Sequence, residues 1–151
     1  MEIIFKKISD MSQNEESKLN TFFAYVCELP ISLLIPNYSA ADTACILLEG
    51  SSLSKGRIIG ALLYREEMPS KREIDKFGIT KMFSVLRIDV SPQTRGRGFG
   101  ERLLQKTVEH LTSKTEKPFL IRLEKSHTLG SAPEKLGFES LSGLFLYKTV
   151  R

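Results

Sequence analysis

The sequence predicts a mixed α/β (α+β) fold, with helices on both faces of a central mixed sheet of six to seven strands. One observation is the order of segments, β-α-(α)-β-β-β-α-β-α-β-β, which hydrophobic periodicity and turn residues indicate. Another is a strand, a glycine-rich turn and an amphipathic helix that follow one another between residues 85 and 111. The composition agrees, because 151 residues that are 41% hydrophobic and 26% charged suit one globular domain spanning 1–151.

The first 42 residues are predicted to contain a strand, a helix and a loop. Residues 2–8 alternate enough in polarity to form the strand. Ser12 and Glu15 have the spacing of a capping box, and the apolar residues after them recur on one side of a helix, as core packing requires. Residues 30–42 are a turn-rich loop with a short helical turn. Its Tyr38 either borders a substrate cleft or is a half-buried loop residue.

The middle of the chain predicts a hairpin followed by a loop. Apolar runs at 44–49 and 57–65 form antiparallel strands around a turn rich in glycine and serine. Residues 66–76 are charged and interrupted by a proline, so we expect a solvated loop there. Residues 112–117 are expected to be a polar turn. After that turn we expect a strand, a short helix and two further strands, at 118–124, 126–136, from 138, and at 144–150.

The stretch from 85 to 111 has three consecutive parts. Residues 85–90 are apolar and rich in β-branched side chains, and the turn-forming Ser91 and Pro92 end this strand. Residues 95–100, RGRGFG, are a glycine-rich turn, and from Glu101 apolar residues recur at helical spacing. Glycines let backbone N–H groups approach an anion, and a helix N-terminus adds unpaired donors and a partial positive charge. The stretch therefore predicts a phosphate-binding site.

The spacing of the glycines indicates which phosphate ligand fits. Gly96, Gly98 and Gly100 give G-x-G-x-G where a dinucleotide fingerprint needs G-x-G-x-x-G, and the Lys-Ser or Lys-Thr of a P-loop is missing. The pattern that fits is R-x-x-G-x-G, beginning at Arg95. Between its strand and its helix, this motif resembles the acyl-CoA pyrophosphate loop of the GNAT superfamily of N-acetyltransferases.

A second motif strengthens the resemblance. Residues 134–139, EKLGFE, are similar to the helix end that precedes the penultimate strand in that family, with Gly137 suited to a helix C-cap and Phe138 to a return into the core. The resemblance implies the GNAT-like acyl-CoA N-acyltransferase fold. It also implies acetyl-CoA as cosubstrate and transfer of the acetyl group to a primary amine of a small molecule or protein, by direct attack in a ternary complex. The alternative is a catalytically weak acyl-CoA-binding sensor or regulatory module.

The resemblance also implies where the cofactor binds. The backbone of Ile88 and Val90 should pair with the pantetheine arm, and the N–H groups from Arg95 to Gly100 should hold the pyrophosphate. Arg95 and Arg97 would add charge-assisted contacts, or be solvated surface charges. The predicted cofactor-binding residues are Ile88, Val90, Arg95, Gly96, Arg97, Gly98, Phe99 and Gly100.

The proton-transfer groups are less defined. In the family, a backbone N–H at the position of Val90 commonly polarises the thioester carbonyl, and a tyrosine four residues before the glycine of Leu-Gly-Phe often protonates the thiolate. Pro133 occupies that tyrosine position in this chain. The remaining candidates for the proton donor are Ser131, His127 and Tyr147.

The general base is equally open. The glutamate that family members acting on protein lysines often carry in the central strand corresponds to Ser84. Asp89 or Glu124 would lie near the reacting carbonyl if the two parallel strands separate at their C-terminal ends. Alternatively these carboxylates pair with Arg87 and Arg122, which share their strand faces, or face solvent. The two histidines differ in position, because His110 is expected to be exposed on the helix whereas His127 lies in a polar loop.

The composition limits the classes of partner that we expect for this protein. The net charge of +4 is small for a nucleic-acid-binding protein, and its excess lies between 95 and 125, with eight basic against four acidic residues. Cys27 and Cys45 lack metal-type spacing and are expected to be reduced, packed thiols. No signal sequence or membrane-length apolar run is present. We therefore expect a cytoplasmic protein without a metal, nucleic-acid or membrane partner; a homodimer is compatible with the sequence.

Overall fold

The computed structural model describes residues 1–30, 32, 38–125, 129–141 and 143–151. The strands and helices of this part follow one another in the order that the sequence predicts, apart from one additional helix. Their bounds are β1 (Glu2–Lys7), α1 (Gln13–Val26), β2 (Thr43–Glu49), β3 (Arg57–Glu67), α2 (Lys71–Phe77), β4 (Met82–Val90), α3 (Phe99–Lys114), β5 (Phe119–Glu124), α4 (Ala132–Lys135), β6 (Glu139–Ser140) and β7 (Phe145–Val150). None of the helices in the described ranges combines the length and apolar character needed to cross a bilayer.

The seven strands form one sheet in the order β1-β2-β3-β4-β5-β7-β6. Strands β1 to β4 pair antiparallel as a meander, and β5, β7 and β6 pair antiparallel on the other side. The parallel pair β4–β5 joins the two halves, with α3 as the connection between these strands. The predicted mixed sheet and its parallel strand–helix–strand unit are confirmed.

Helices cover both faces of the sheet, as alternation along β2 shows. Cys45 and Leu47 point into a core formed with Leu103 and Leu104 of α3, whereas Ile46 between them joins a second core formed with α1. The α1 side chains of that second core are Leu19, Phe22 and Phe23. Since every second residue of a strand faces the same way, α1 and α3 lie on opposite faces.

The segment at 66–76 is a correction to the sequence prediction, because it is not a solvated loop. Strand β3 continues to Glu67, and α2 follows it after a short turn. The Ser70 hydroxyl accepts from the Glu73 N–H at 3.2 Å, and the Glu73 carboxylate accepts from the Ser70 N–H at 2.9 Å, which is a complete capping box. Gly78 ends the helix with φ of 65°, a conformation that glycine adopts without strain. The proline at 69 thus precedes the helix instead of breaking it.

Smaller corrections concern the ends of elements. Helix α3 begins at Phe99 and continues to Lys114, so residues 112–114 are helical although a turn was expected from 112 onward. The short helix expected within 126–136 is α4, and the strand expected from 138 is β6. The helical turn expected within 30–42 lies largely outside the described residues, as does His127. The Ser12–Glu15 capping box at the start of α1 is confirmed.

The exposure of Cys45 agrees with the sequence prediction, whereas that of Cys27 and of His110 differs from it. Cys45 is buried and free, and its burial raises the pKa of the thiol to about 12, but Cys27 is exposed at the end of α1 and is not a packed thiol. His110 is half-buried instead of exposed, since its ring stacks on Phe5 of β1 with centroids 3.7 Å apart. Burial and the nearby Lys114 lower the pKa of His110.

Candidate functional site

The central strand separates from its parallel neighbour before it ends. Strands β4 and β5 pair from Met82 with Leu120 to Val85 with Leu123, yet β4 continues to Val90. Leu86 is an extra residue in the pairing with β3, because Val85 and Arg87 face consecutive β3 residues. Such a bulge bends a strand and increases its twist. In the described part of the chain, β4 beyond Val85 therefore pairs only with β3, and its edge toward β5 is open.

A tight turn connects this open edge to the glycine-rich loop at 95–100. The Ser91 N–H donates to the Ile59 carbonyl at 2.8 Å, and the buried Thr94 hydroxyl donates to the Ser91 carbonyl at 3.0 Å. Gly96 and Gly98 follow with φ of 83° and 76°, and a Cβ at either position would meet no atom within 4 Å. The loop therefore needs glycine for its backbone conformation, and the space above both residues is open.

The N-terminus of α3 has backbone hydrogen-bond donors without a partner among the residues that the structure describes. Helices α1 and α2 begin with serine–glutamate capping boxes, whereas α3 begins after Gly98, which has no side chain to offer. The first helical bond runs from the Arg102 N–H to the Gly98 carbonyl at 3.0 Å. The N–H groups of the preceding first turn have no partner within the helix, and they point along the positive end of its dipole. This arrangement suits an anion such as a phosphate.

A cavity of about 500 Å³, here called the loop cavity, lies between the open edge of β4 and the start of α3. Its lining residues are Val26, Ile88, Asp89, Val90, Thr94, Arg95, Gly96, Gly98, Phe99, Gly100, Glu101 and Leu129. All of the predicted cofactor-binding residues except Arg97 are among them. Arg95 and Arg97 are both exposed, and neither is in an ion pair with a described residue.

A second, smaller cavity lies where β4 and β5 separate. This inter-strand cavity, about 280 Å³, is lined by Val85, Leu86, Arg87, Ile88, Leu123, Glu124, Lys125 and Leu129. Leu129 borders both cavities, and a Cβ on Gly100 would lie 3.2 Å from its Cδ2 atom. Ile88 also borders both. The side chain of Leu129 thus lies at the boundary between the loop cavity and the inter-strand cavity.

The two carboxylates proposed as bases have different surroundings. Asp89 forms an ion pair with Arg87, whose guanidinium lies 4.1 Å from the centre of the Phe23 ring. Burial alone would lower the pKa of Arg87, but the Asp89 carboxylate raises it. The Asp89 carboxylate is thus already engaged by a cation. Glu124 is exposed in the inter-strand cavity and forms no ion pair with a described residue.

Arg122 does not pair with Glu124 and instead belongs to a cluster that the sequence interpretation missed. Its Nη2 lies 2.7 Å from Oε2 of Glu67, and its Nη1 lies 3.5 Å from Oε2 of Glu73. Ser84, the residue at the family's glutamate position, donates its hydroxyl to Oε2 of Glu67 at 2.9 Å. The available signal was the capping-box spacing at 70–73, which places Glu73 on a helix over the sheet.

The candidates for the proton donor are dispersed. Tyr147 faces a third cavity beside α2, where burial and then the nearby Glu73 raise the pKa of its hydroxyl. Ser131 is exposed just before α4 and lines neither the loop cavity nor the inter-strand cavity. Pro133, at the tyrosine position, is buried within α4. His127 lies outside the described residues. Of the two alternatives for Tyr38, the structure shows the half-buried loop residue, in contact with Asn20 and Phe23.

Comparison with known proteins shows the fold. No family model matches the sequence, and no curated protein matches it significantly. An agmatine N-acetyltransferase structure has a TM-score of 0.64 at 14% identity, covering 99% of this chain and 100% of that one. A chain of the NatC complex bound to Gag peptide and CoA has a TM-score of 0.62 at 11% identity, covering all of both chains. A chain of the KacTA–DNA complex has a TM-score of 0.60 at 16% identity, covering 98% and 93%. The chain has the GNAT acetyltransferase fold.

Proposed function

We propose that residues 1–151 form one N-acetyltransferase domain, which transfers an acetyl group from acetyl-CoA to a primary amine by direct attack in a ternary complex. The observation that carries the proposal is the loop cavity, in which an open strand edge, an open glycine-rich loop and an uncapped helix N-terminus meet. The GNAT fold and the CoA in the NatC complex support the choice of cofactor.

The residues of the loop cavity fit the polar parts of CoA. The free N–H groups at the start of α3 and those of the glycine-rich loop would hold the pyrophosphate, and a Cβ would intrude on the open space above Gly98. Arg95 would add a charge-assisted contact, whereas Arg97 lies outside the lining. The backbone of Ile88 and Val90, on the open edge of β4, would pair with the amide groups of the pantetheine arm.

The thioester supplies an activated acyl group when the cofactor is bound. The Val90 N–H would stabilise negative charge on the carbonyl oxygen as the amine attacks. Glu124 is our choice of base, directly or through water, because its carboxylate faces the inter-strand cavity without a cationic partner among the described residues, whereas Asp89 is held by Arg87. The proton for the leaving thiolate is assigned to no side chain, since Pro133 replaces the usual tyrosine.

The direct test is release of free CoA thiol from acetyl-CoA in the presence of primary amines, both small molecules and peptides. We expect thiol release that depends on the amine. The Glu124→Gln variant should release thiol more slowly, and the pH dependence of its rate should be shifted. Asp89→Asn is the matched control for loss of a carboxylate near the site. Absence of turnover with every amine, in a protein that binds CoA, would contradict the proposed reaction.

The buried Pro133 favours a second candidate, a catalytically weak acyl-CoA-binding sensor. Such a module would bind acetyl-CoA through the same loop cavity without accelerating acetylation of any amine.

Because one structural neighbour was solved with DNA, DNA should be included among the partners examined. We propose that nucleic acid is not a partner, since the net charge of +4 is small for a nucleic-acid-binding protein; salt-sensitive binding to duplex DNA would contradict this.

A further inference from the structure

A third cavity lies on the sheet face opposite α3, between α2 and the last strand. This α2–β7 cavity has a volume of about 510 Å³, within the range of small-molecule sites. It is separate from the loop cavity, with which it shares no lining residue. Its walls combine cationic side chains of α2 with an apolar surface from β7 and the turn before it.

The charges that remain accessible in this cavity are positive. Arg72 and Lys76 lie one turn apart on the exposed face of α2, and both line the cavity. Neither is in an ion pair with an acid in the described part of the chain. Like charges four residues apart on a helix repel each other, so an anion between them would relieve this repulsion.

The one acidic residue of the lining is already occupied. Glu73 is 8% exposed, and its carboxylate accepts from the Ser70 N–H at 2.9 Å and lies 3.5 Å from the Arg122 guanidinium. Arg122 in turn is held by Glu67. A cationic group of a ligand would therefore find no available carboxylate in this cavity. An anionic group would find the side chains of Arg72 and Lys76.

The rest of the wall is apolar. Phe77 and Tyr147 lie with ring centroids 5.1 Å apart, and Phe145 packs under the Arg122 guanidinium at 4.5 Å. Leu141 and Leu144 at the rim are 41% and 68% exposed, so two exposed apolar side chains lie together at this cavity. A ligand for this cavity therefore needs an apolar body as well as an anionic group.

The α2–β7 cavity adjoins the inter-strand cavity along β5. Arg122 lines the first and Glu124 lines the second, and these residues share one strand face, two positions apart. Phe145, in the wall of the α2–β7 cavity, pairs directly with Glu124. The Cα atoms of Arg122 and Glu124 are roughly 7 Å apart along the strand, so a ligand of at least this length can extend from the α2–β7 cavity to Glu124.

We propose that the acetyl acceptor binds in the α2–β7 cavity and is a small primary amine with an apolar body and an anionic group roughly 7 Å or more from the nitrogen. Arg72 and Lys76 bind the anion, the aromatic wall contacts the body, and the amine reaches Glu124. This inference rests on the proposed acetyltransferase function. An ω-amino acid such as 6-aminohexanoate, whose length matches two extended residues, is a suitable probe.

The test compares 6-aminohexanoate with 6-aminohexanamide, which lacks only the charge. We expect the KM for the carboxylate to be at least about fivefold lower, and Arg72→Gln/Lys76→Gln to abolish the preference without changing the KM for acetyl-CoA. The control Lys55→Gln/Lys71→Gln removes two exposed cations outside the cavity and should keep the preference. Equal KM values for the two probes, or an unchanged preference in the Arg72/Lys76 variant, overturn the proposal.

A binding measurement separates this proposal from the proposed reaction. Each probe is titrated into the CoA-bound protein, and backbone amide shifts in α2 and β7 are followed by NMR. If the carboxylate binds at these elements and is not acetylated, the anion site stands and the reaction is wrong. If both probes are acetylated equally, the reaction stands and the anion site is wrong. Binding of neither probe overturns the anion site whatever the turnover.

Discussion

Replacing Gly98 by glutamate tests the glycine-rich loop as a phosphate site. Gly98 has φ of 76° and precedes the uncapped start of α3, and a Cβ there would enter the open space of the loop cavity. A side chain in this left-handed conformation costs about 1 kcal/mol of folding free energy. For a chain of this size, the melting temperature should therefore fall by only about 2–4 °C.

The effect on CoA binding should be much larger. A carboxylate about 5 Å from a phosphate, at an effective dielectric constant of about 20, repels it by about 3 kcal/mol, a factor of roughly 150. Because the loop is open to water, we expect the Kd for CoA to rise by about 30- to 150-fold at low salt, and less at high salt. Isothermal titration calorimetry at two salt concentrations measures both.

Two variants control for backbone strain and side-chain volume. Gly98→Gln introduces the same volume without charge, so its Kd should rise by less than that of the glutamate variant. Gly78→Glu introduces the same strain, at φ of 65°, but at the end of α2, away from the loop cavity. It should lower the melting temperature and leave CoA affinity unchanged. A folded Gly98→Glu protein with normal CoA affinity would refute the phosphate assignment.

The remaining predictions concern the two arginines of the loop and one buried ion pair. Arg95→Gln should weaken CoA binding by about five- to tenfold, whereas Arg97→Gln, outside the cavity lining, should change it less than twofold, as the same calorimetry measures. Asp42 is fully buried and binds Arg65 through both carboxylate oxygens, at 2.7 and 3.0 Å. Burial alone would raise the pKa of Asp42, but Arg65 and the Ser39 N–H lower it. Its stabilising effect is thus present above the ordinary carboxyl pKa and lost as pH falls through the lowered value. Asp42→Asn should cost about 2 kcal/mol at pH 7 and progressively less as pH falls below about 4, in urea unfolding curves; a cost that does not depend on pH would contradict this.

The strand, loop and helix that form the loop cavity were predictable because they are contiguous. The strand, loop and helix between 85 and 111 determine one another locally, through β-branched residues, left-handed glycines and an apolar helix face. The bulge at Leu86, which opens the edge of β4, could not be predicted from the hydrophobic periodicity of the sequence. It becomes visible only when the pairing with β3 is known.

The α2–β7 cavity was not predictable in the same way, because distant segments form it. Glu67, Glu73 and Arg122 meet only after β3, α2 and β5 are assembled, and no spacing in the sequence relates them. Helix α2 was missed because its charged residues and preceding proline are typical of a loop, although Ser70 and Glu73 have capping-box spacing. His110 was placed in solvent because its stacking partner, Phe5, lies more than a hundred residues earlier.

The central claim is that the glycine-rich loop and the start of α3 hold the pyrophosphate of an acyl-CoA. A crystal structure with CoA bound tests it most directly. The pyrophosphate oxygens should lie about 2.7–3.2 Å from backbone nitrogens of the loop and of the first turn of α3, with the pantetheine along the open edge of β4. A pyrophosphate bound away from residues 95–101, or a pantetheine arm that does not contact β4, would contradict the claim.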